Sequence, residues 1–499
     1  MQYLIGVDLG TTATKAVLFE KDGKIIASSS QAYPLHRDAS GMAEESLEEI
    51  FEAVLVTIRE VSINLEDEDE LLAVSFSTQM HSLIAFDENW QPLTRLITWA
   101  DTRAVKYTEQ IKASKKGFDI YRRTGTPLHP MAPLSKFMWL QAEYPSIYQK
   151  AAHYLELKGY IFQRLFGTNK IDLSTATGTG VFNIFELQWD KEALEMTGIK
   201  ESQLPNVVEP YEIEENLPHE YAKKMGIQSS TKFIWGAADG PLSNLGVNAI
   251  KPGVAAITIG TSGAIRVVTD RPKTDEKGRT FTYALDREHW VVGGPVNSGG
   301  DVFRWARDQI FDGKITFDEV TELAANISPG ADGLLFHPYL GGERAPIWDA
   351  NARGSFFGLN YGHNRSHMAR SVLEGVIFNI YMVLVEVVGD LNMIQATGGF
   401  TSSELWTQIL ADIFEQPINV PESREAGCLA AVIMAEKALG LIDDISEIEK
   451  MVGTNQTYQP NPENFSIYRE ISPIFIRLSR SFLAEYENIA NFQRKFEKD

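Results

Sequence analysis

Apolar residues along this chain come mostly in short continuous runs, and the runs are punctuated by glycine-bearing polar turns. Tyr3 to Val7 leads through Asp8 into Gly10-Thr11-Thr12, and Ala16-Val17-Leu18-Phe19 follows. This pattern predicts a strand, a tight turn and a second strand. Asp22-Gly23 then turns the chain into Ile25-Ile26-Ala27, a further strand of a meander that leads to Pro34. The period changes at Glu48 to Val61, where Ile50, Phe51, Val54, Leu55, Ile58 and Val61 fall at helical spacing. After an acidic run, Glu66 to Glu70, expected as a solvated loop, Leu71 to Phe76 predicts a buried strand. It ends in the polar cluster Ser77-Thr78-Gln79-Met80-His81. A second such delivery, Thr98-Trp99-Ala100-Asp101-Thr102-Arg103, follows Leu96-Ile97, and a third strand, Phe233-Ile234-Trp235, runs into Gly236-Ala237-Ala238-Asp239-Gly240. The ends of strands in α/β folds are where ligands are usually met, so these clusters are candidate site walls. The most apolar long segment, Val372 to Val388, is interrupted by Glu374, Asn379 and Glu386; it falls short of a membrane span and predicts a buried helix. Farther on, Ile394-Gln395-Ala396 reads as a strand before Gly398-Gly399-Phe400, and Thr401 with Glu404 marks a helix start as a capping box.

The opening pattern returns. Ala255 to Ala264 aligns with Ile5 to Thr14 at a shift of 250 residues, which superposes Gly260-Thr261 on Gly10-Thr11. That shift is half of the 499-residue chain and predicts a duplicated domain, residues 1–247 and 248–499, hinged near Lys251-Pro252-Gly253. Each hairpin turn offers backbone N–H groups and small residues to an anion, which suits phosphate, and two of them are expected to face a common cleft. Gly6 and Gly10 leave room for close backbone approach. Asp8 precedes the first turn, where a carboxylate tolerates polyphosphate only with a cation such as Mg²⁺ between them; a carboxylate bonded to backbone at a strand end is the plainer reading. The shifted position is Thr258, so the two hairpins are not chemically equivalent.

Composition narrows the partners. A formal charge of -21 disfavours nucleic acid and anionic membranes, and it requires local basic residues if the substrate is an anion. The one cysteine, Cys428, excludes an intrachain disulfide, and a cytoplasmic location is expected. Asp8 interrupts what would otherwise be the apolar core of a signal peptide, so export is not expected. On residue type alone, Asp239-Gly240 serves equally as a turn pair or as a catalytic acid beside small neighbours, His81 as a buried histidine or a ligand contact, and Trp99 as core or as a stacking surface.

Two longer motifs decide more. Met131 to Glu143, with Lys136, Trp139 and Glu143, and Gly354-Ser355-Phe356-Phe357-Gly358-Leu359 through His367, Ser371 and Glu374 resemble the two signatures of the FGGY carbohydrate kinases. The resemblance runs over nearly the whole chain. It implies an α/β fold of two duplicated actin-like (ribonuclease H-like) domains around a central cleft, in the sugar kinase, actin and Hsp70 superfamily. It implies Mg²⁺ and ATP as cofactors, Asp239 as general base and Asp8 at the metal. Phosphates and nucleotide would be met by Gly10, Thr11, Thr12, Lys15, Gly260, Thr261, Gly300, Arg304, Gly399 and Ser403. The small-molecule sugar acid or polyol would be met by Gln79, Met80, His81, Trp99, Asp101, Met131 and Asp239. Homodimers are common in the family. Within it, Gln79 to Ser82, Ile97 to Asp101, Thr124 to Met131 and Asp239 to Gly246 are similar to the gluconate kinase branch. Pentulose kinases such as xylulose kinase are the alternative, although they usually carry Asn where this chain has Gly240. For a substrate carboxylate, Arg103, Arg122, Arg123, Lys136 and Arg344 are all candidates.

Overall fold

A computed structural model describes residues 1–387, 391–422 and 425–496. In chain order the elements that matter here begin with strands β1 (Gln2–Leu9), β2 (Ala13–Glu20) and β3 (Ile25–Ala32), helix α1 (Leu47–Ser62), strand β4 (Glu70–Thr78) and helix α2 (Pro133–Glu143). Next come β5 (Ile213–Glu214), β6 (Lys232–Ala238), α3 (Asp239–Gly246), β7 (Val254–Ile259), β8 (Gly263–Thr269) and β9 (Phe281–Ala284). The chain continues through α4 (Gly300–Trp305), α5 (Arg365–Val387), β10 (Met393–Thr397), α6 (Glu404–Phe414), β11 (Ile418–Pro421), α7 (Ala426–Ala438) and β12 (Thr454–Tyr458). Contacts divide it into two units. The first comprises Met1–Ile250, Thr269–Val292 and Ser423–Gly453; the second comprises Lys251–Val268, Gly293–Glu422 and Thr454–Asp499.

In the first unit a six-stranded sheet runs β5-β6-β4-β1-β2-β3. The hairpin partners β1 and β2 are antiparallel, whereas β1, β4 and β6 are mutually parallel neighbours. The apolar face of α1, with Ile50, Phe51, Val54, Leu55, Ile58 and Val61 all buried, packs into the core of this sheet, and Ser46 caps the helix by accepting from the Glu49 N–H. The late helix α7 belongs to this unit as well. It lies so close to β1 and α3 that a Cβ built on Gly6 would stand 2.1 Å from the Cys428 carbonyl oxygen, and one on Gly246 would stand 2.1 Å from that of Ala426. The close approach expected at Gly6 is therefore to the backbone of a helix more than 400 residues later. Gly6→Ala and Gly246→Ala are each expected to cost about 1–3 kcal/mol or more, because backbone cannot yield as a side chain does. Urea unfolding midpoints equal to wild type would refute this tight docking.

In the second unit the strands β8-β7-β10-β11-β12 repeat the order and sense of β2-β1-β4-β6-β5: antiparallel, parallel, parallel, antiparallel. The 250-residue repeat is thus a repeat of strand topology. Helix α5 covers the predicted apolar segment up to Val387, while Val388 lies outside the described residues. Glu374 and Asn379 find internal partners. Glu374 accepts from Arg370 Nε at 2.6 Å and from the Tyr468 hydroxyl at 2.9 Å, and Asn379 donates to Glu343 at 2.8 Å. Among the described residues no helix is long and apolar enough to cross a membrane. The capping box expected at Thr401 and Glu404 is corrected. Residues 399–402 form a 3₁₀ turn, which moves the helix start two residues on, and Ser403 Oγ caps α6 by accepting from the Trp406 N–H at 3.2 Å.

Candidate active site

Three parallel strands of the first unit stop at one level. Leu9 of β1 and Ala238 of β6 both pair with Thr78 of β4. The residues that follow, Gly10-Thr11-Thr12, Gln79-Met80-His81 and Asp239-Gly240, are therefore delivered to a single edge of the sheet. A bulge in β6 between Ile234 and Ala237, with Gly236 at φ 62°, brings Ala238 into this register; a Cβ on Gly236 would strike the Phe76 carbonyl oxygen at 2.0 Å. Asp239 opens α3, is exposed, and takes the Gly240 N–H on Oδ1 at 2.7 Å. Met80 lies against the same turn, its sulfur 3.7 Å from where a Gly240 Cβ would be.

The Gly10 hairpin is braced on both sides. The Tyr33 hydroxyl donates to the Gly10 carbonyl at 2.6 Å, and Trp99 Nε1 donates to Thr11 Oγ1 at 2.8 Å, which ties the exposed indole to the turn. Asp8, half-buried on β1, pairs across the sheet with Ser77 and Lys15. Burial pushes its carboxyl above the usual carboxylate range. Lys15 itself is ion-paired to Glu425 at 3.0 Å. No group of three or more His, Cys, Asp or Glu placed to hold a metal ion occurs among the described residues, so any cation here would draw most of its ligands from water and phosphate, as Mg²⁺ does. Gly427 suits such a cation, since a Cβ there would lie 3.7 Å from the Asp8 carboxyl carbon and begin to fill the space beside it.

Lys136 of α2 is 1 % exposed and donates to the carbonyls of His81 at 2.6 Å and Thr98 at 2.7 Å, with that of Ile97 at 3.3 Å. It ties together the two polar clusters and does not face a ligand, which corrects its candidacy for a substrate carboxylate. Burial brings its amine down to about 7. Asp101 is also corrected. It is 2 % exposed, and its carboxylate accepts from Arg103 Nε and Nη2 and from the Ala43 N–H, so it organises the wall without offering an oxygen to a hydroxyl. Arg103 stacks over Trp139 at 4.4 Å and also binds Glu44. Arg123 is held by Asp190 and Glu192, and Arg122 pairs on the surface with Asp119. Met131 is buried just ahead of α2, its N–H on His129 Nδ1.

His81 adopts φ 65° and points Nδ1 at the Gly178 carbonyl at 2.6 Å; since a carbonyl only accepts, Nδ1 carries the proton. Its Nε2 meets the Tyr283 hydroxyl at 3.3 Å. Tyr283 arrives on β9, which the first unit holds through the Thr282 N–H on the Gly125 carbonyl and the Ala284 N–H on Thr177.

In the second unit the duplicated edge recurs. Gly260 follows β7, and Gly398, at φ 104°, follows β10 so closely that a Cβ would lie 2.3 Å from the Ile259 carbonyl oxygen. The start of α4 leans on the hairpin, the Gly300 N–H donating to the Gly260 carbonyl at 2.7 Å and the Asp301 N–H to that of Thr261 at 3.3 Å. Space is open around Gly260 and Gly399, and Arg304 is exposed on α4. Arg344 is bonded to Asn297 and to the Val296 carbonyl.

Residues 3–246 match the N-terminal domain, and residues 255–439 the C-terminal domain, of the FGGY family of carbohydrate kinases. The chain belongs to that family. A gluconokinase of Bacillus subtilis (strain 168) is 48% identical to this FGGY kinase, with 99% of this chain and 98% of the relative aligned. A solved gluconate kinase from Lactobacillus acidophilus superposes with a TM-score of 0.95 at 42% identity, over 98% of this chain and 99% of that one. A ligand-bound xylulose kinase structure from the same organism matches at the same TM-score and identity, over 98% and 100%. Sequence reasoning missed four residues that the structure brings against the candidate residues Gln79, His81, Lys15 and Asp8 of this FGGY kinase: Glu45, Tyr283, Glu425 and Gly427. None lies in the polar clusters read from the sequence, and only the Glu44-Glu45 pair, preceding a helix start, offered any local signal.

Proposed function

We propose that this FGGY kinase transfers the γ-phosphoryl of Mg-ATP to O6 of D-gluconate, giving 6-phospho-D-gluconate, with Asp239 as general base. The observation that carries the reading is the common level at which β1, β4 and β6 end, which sets Asp239, Gln79 to His81 and the Gly10 hairpin side by side. The O6–H proton passes to the Asp239 carboxylate as the O6–P bond forms and the bond from the γ-phosphorus to its bridging oxygen breaks, leaving ADP. Asp8 would hold Mg²⁺, whose charge offsets that of the phosphates. The N–H groups of Thr11 and Thr12 orient phosphate, Gly10, whose own N–H closes the turn on the Ala13 carbonyl at 3.1 Å, leaves room for it to approach, and Lys15 balances charge beside Asp8. In the second unit we assign phosphate contacts to Gly260 and Thr261 and nucleotide contacts to Gly300, Arg304, Gly399 and Ser403. Gln79, Met80, His81, Trp99 and Met131 form the acceptor wall, with Asp101 and Lys136 fixing its shape. Positioning and charge neutralisation, rather than covalent chemistry, supply the rate.

The 48% identity to a gluconokinase supports gluconate as acceptor; the equal structural match to a xylulose kinase makes D-xylulose the acceptor to exclude. The test is ADP release by purified protein with Mg-ATP and D-gluconate, D-xylulose, L-ribulose or glycerol. Turnover confined to gluconate is the expected result. Turnover confined to a pentulose would overturn the substrate and leave base and metal assignments intact.

A further inference from the structure

Glu45 has no part in the chemistry above, yet it is 0 % exposed beside the phosphate hairpin, at the end of a short strand, Ala43–Glu45. Its Oε2 accepts from Gln79 Nε2 at 2.9 Å, and its Oε1 meets no donor among the described residues. Elementary donor and acceptor chemistry gives direction to the bonds that lead there. An indole N–H can only donate, so Thr11 Oγ1 accepts from Trp99 at 2.8 Å. The one hydroxyl proton of Thr11 then goes to Gln79 Oε1 at 3.3 Å. That turns the Gln79 amide NH₂ toward Glu45 Oε2 and, at 3.4 Å, the Gly10 carbonyl. Three directed hydrogen bonds thus run from a 40 % exposed indole, through the phosphate hairpin, to an interior carboxyl. Burial pushes Glu45 up to about 8, so near neutral pH it holds its proton and brings no negative charge to a turn built for anions.

We propose that Glu45 is a positioning residue: by holding the Gln79 amide it fixes the Thr11 hydroxyl and the Trp99 indole, and so ties the acceptor wall to the phosphate hairpin. The inference rests on the acceptor wall assigned above. Hydrogen bonds in such a series orient one another, and loss of the buried end frees every member.

The test uses the full-length protein without substrate, followed by kinetics. Glu45→Leu removes the acceptor, whereas Glu45→Gln can still present an amide oxygen to Gln79. In Glu45→Leu, amide hydrogen exchange of peptides covering 9–14 and 97–103 is expected to speed about tenfold. The KM for gluconate is expected to rise about tenfold with kcat changed less than about threefold, and Glu45→Gln restores both readouts. In a Trp99→Phe background the chain is already cut, and Glu45→Leu should add less than about a twofold change. Unchanged exchange at 9–14 in Glu45→Leu, or a full penalty in the Trp99→Phe background, overturns the proposal. Should Glu45→Leu not fold, Thr11→Val cuts the series in its middle and must speed exchange at 97–103; wild-type exchange there overturns it equally. A wild-type protein inactive on gluconate would remove the acceptor assignment while leaving the exchange results to judge the relay.

Discussion

Asp239→Asn is expected to fold as wild type and to lose about 10²- to 10⁴-fold in kcat. Folding should survive because the Gly240 N–H, which Oδ1 accepts at 2.7 Å, is accepted equally well by an amide oxygen. What the amide cannot do is take up the acceptor proton, and without that transfer the attacking hydroxyl must leave its proton to solvent. The variant therefore separates the two roles that an Asp-Gly pair can fill. Melting temperature and far-ultraviolet circular dichroism report on the turn, and steady-state ADP release reports on the base. An Asp239→Asn protein turning over at the wild-type rate would remove the base assignment.

The second large effect belongs to a residue that touches no ligand. Lys136→Met keeps the volume of the side chain but withdraws the ammonium from the carbonyls of His81 and Thr98, of which Thr98 keeps the Asp101 N–H at 3.2 Å. The loss of these buried hydrogen bonds should cost about 1–3 kcal/mol of stability. His81 also loses the contact that holds it at φ 65°, a conformation uncommon outside glycine. The acceptor KM should rise about 10- to 100-fold while the KM for Mg-ATP stays near wild type. The stability loss should also depend on pH. The amine titrates at about 7 in the folded protein against 10.5 for the ordinary group, so between those values the unfolded chain binds a proton that the folded chain does not. Wild-type stability therefore gains with rising pH across this window, and the methionine variant lacks that gain. Thermal or urea unfolding at pH 7 and at pH 9.5 should show the gap between the two proteins widening. An equal gap at both would contradict the titration.

Much of this site could be read in the chain because its chemistry is local. The Gly10 and Gly260 hairpins carry their turn residues with them, Asp8 stands two residues before its turn, and Gln79, Trp99 and Asp239 each follow a recognisable apolar strand. The errors have a shared cause. Whether a charged side chain in such a cluster is open to ligand depends on what already satisfies it: Asp101 is satisfied by Arg103, two residues away, and Lys136 by carbonyls from two other segments. Side-chain type and spacing do not encode that. Tyr283, Glu425 and Gly427 were out of reach for a different reason, since each returns to the first unit from far along the chain. The misplaced cap at Thr401 reflects one inserted 3₁₀ turn, a choice too small for a periodicity argument to resolve.

The return of α7 to β1 also bears on how the protein is made. The strand that carries Asp8 leaves a ribosome long before the helix whose backbone fills the notches at Gly6 and Gly246, which ends at Ala438. At roughly 5–20 residues per second, something like 10–40 s separates the emergence of α3 from that of α7. For that interval the nascent sheet has an apolar, glycine-notched face with nothing against it. A ribosome stalled anywhere in between would display a first unit without the helix that packs on its Asp8 strand, and apolar surface left open in this way is what makes a nascent chain prone to aggregate.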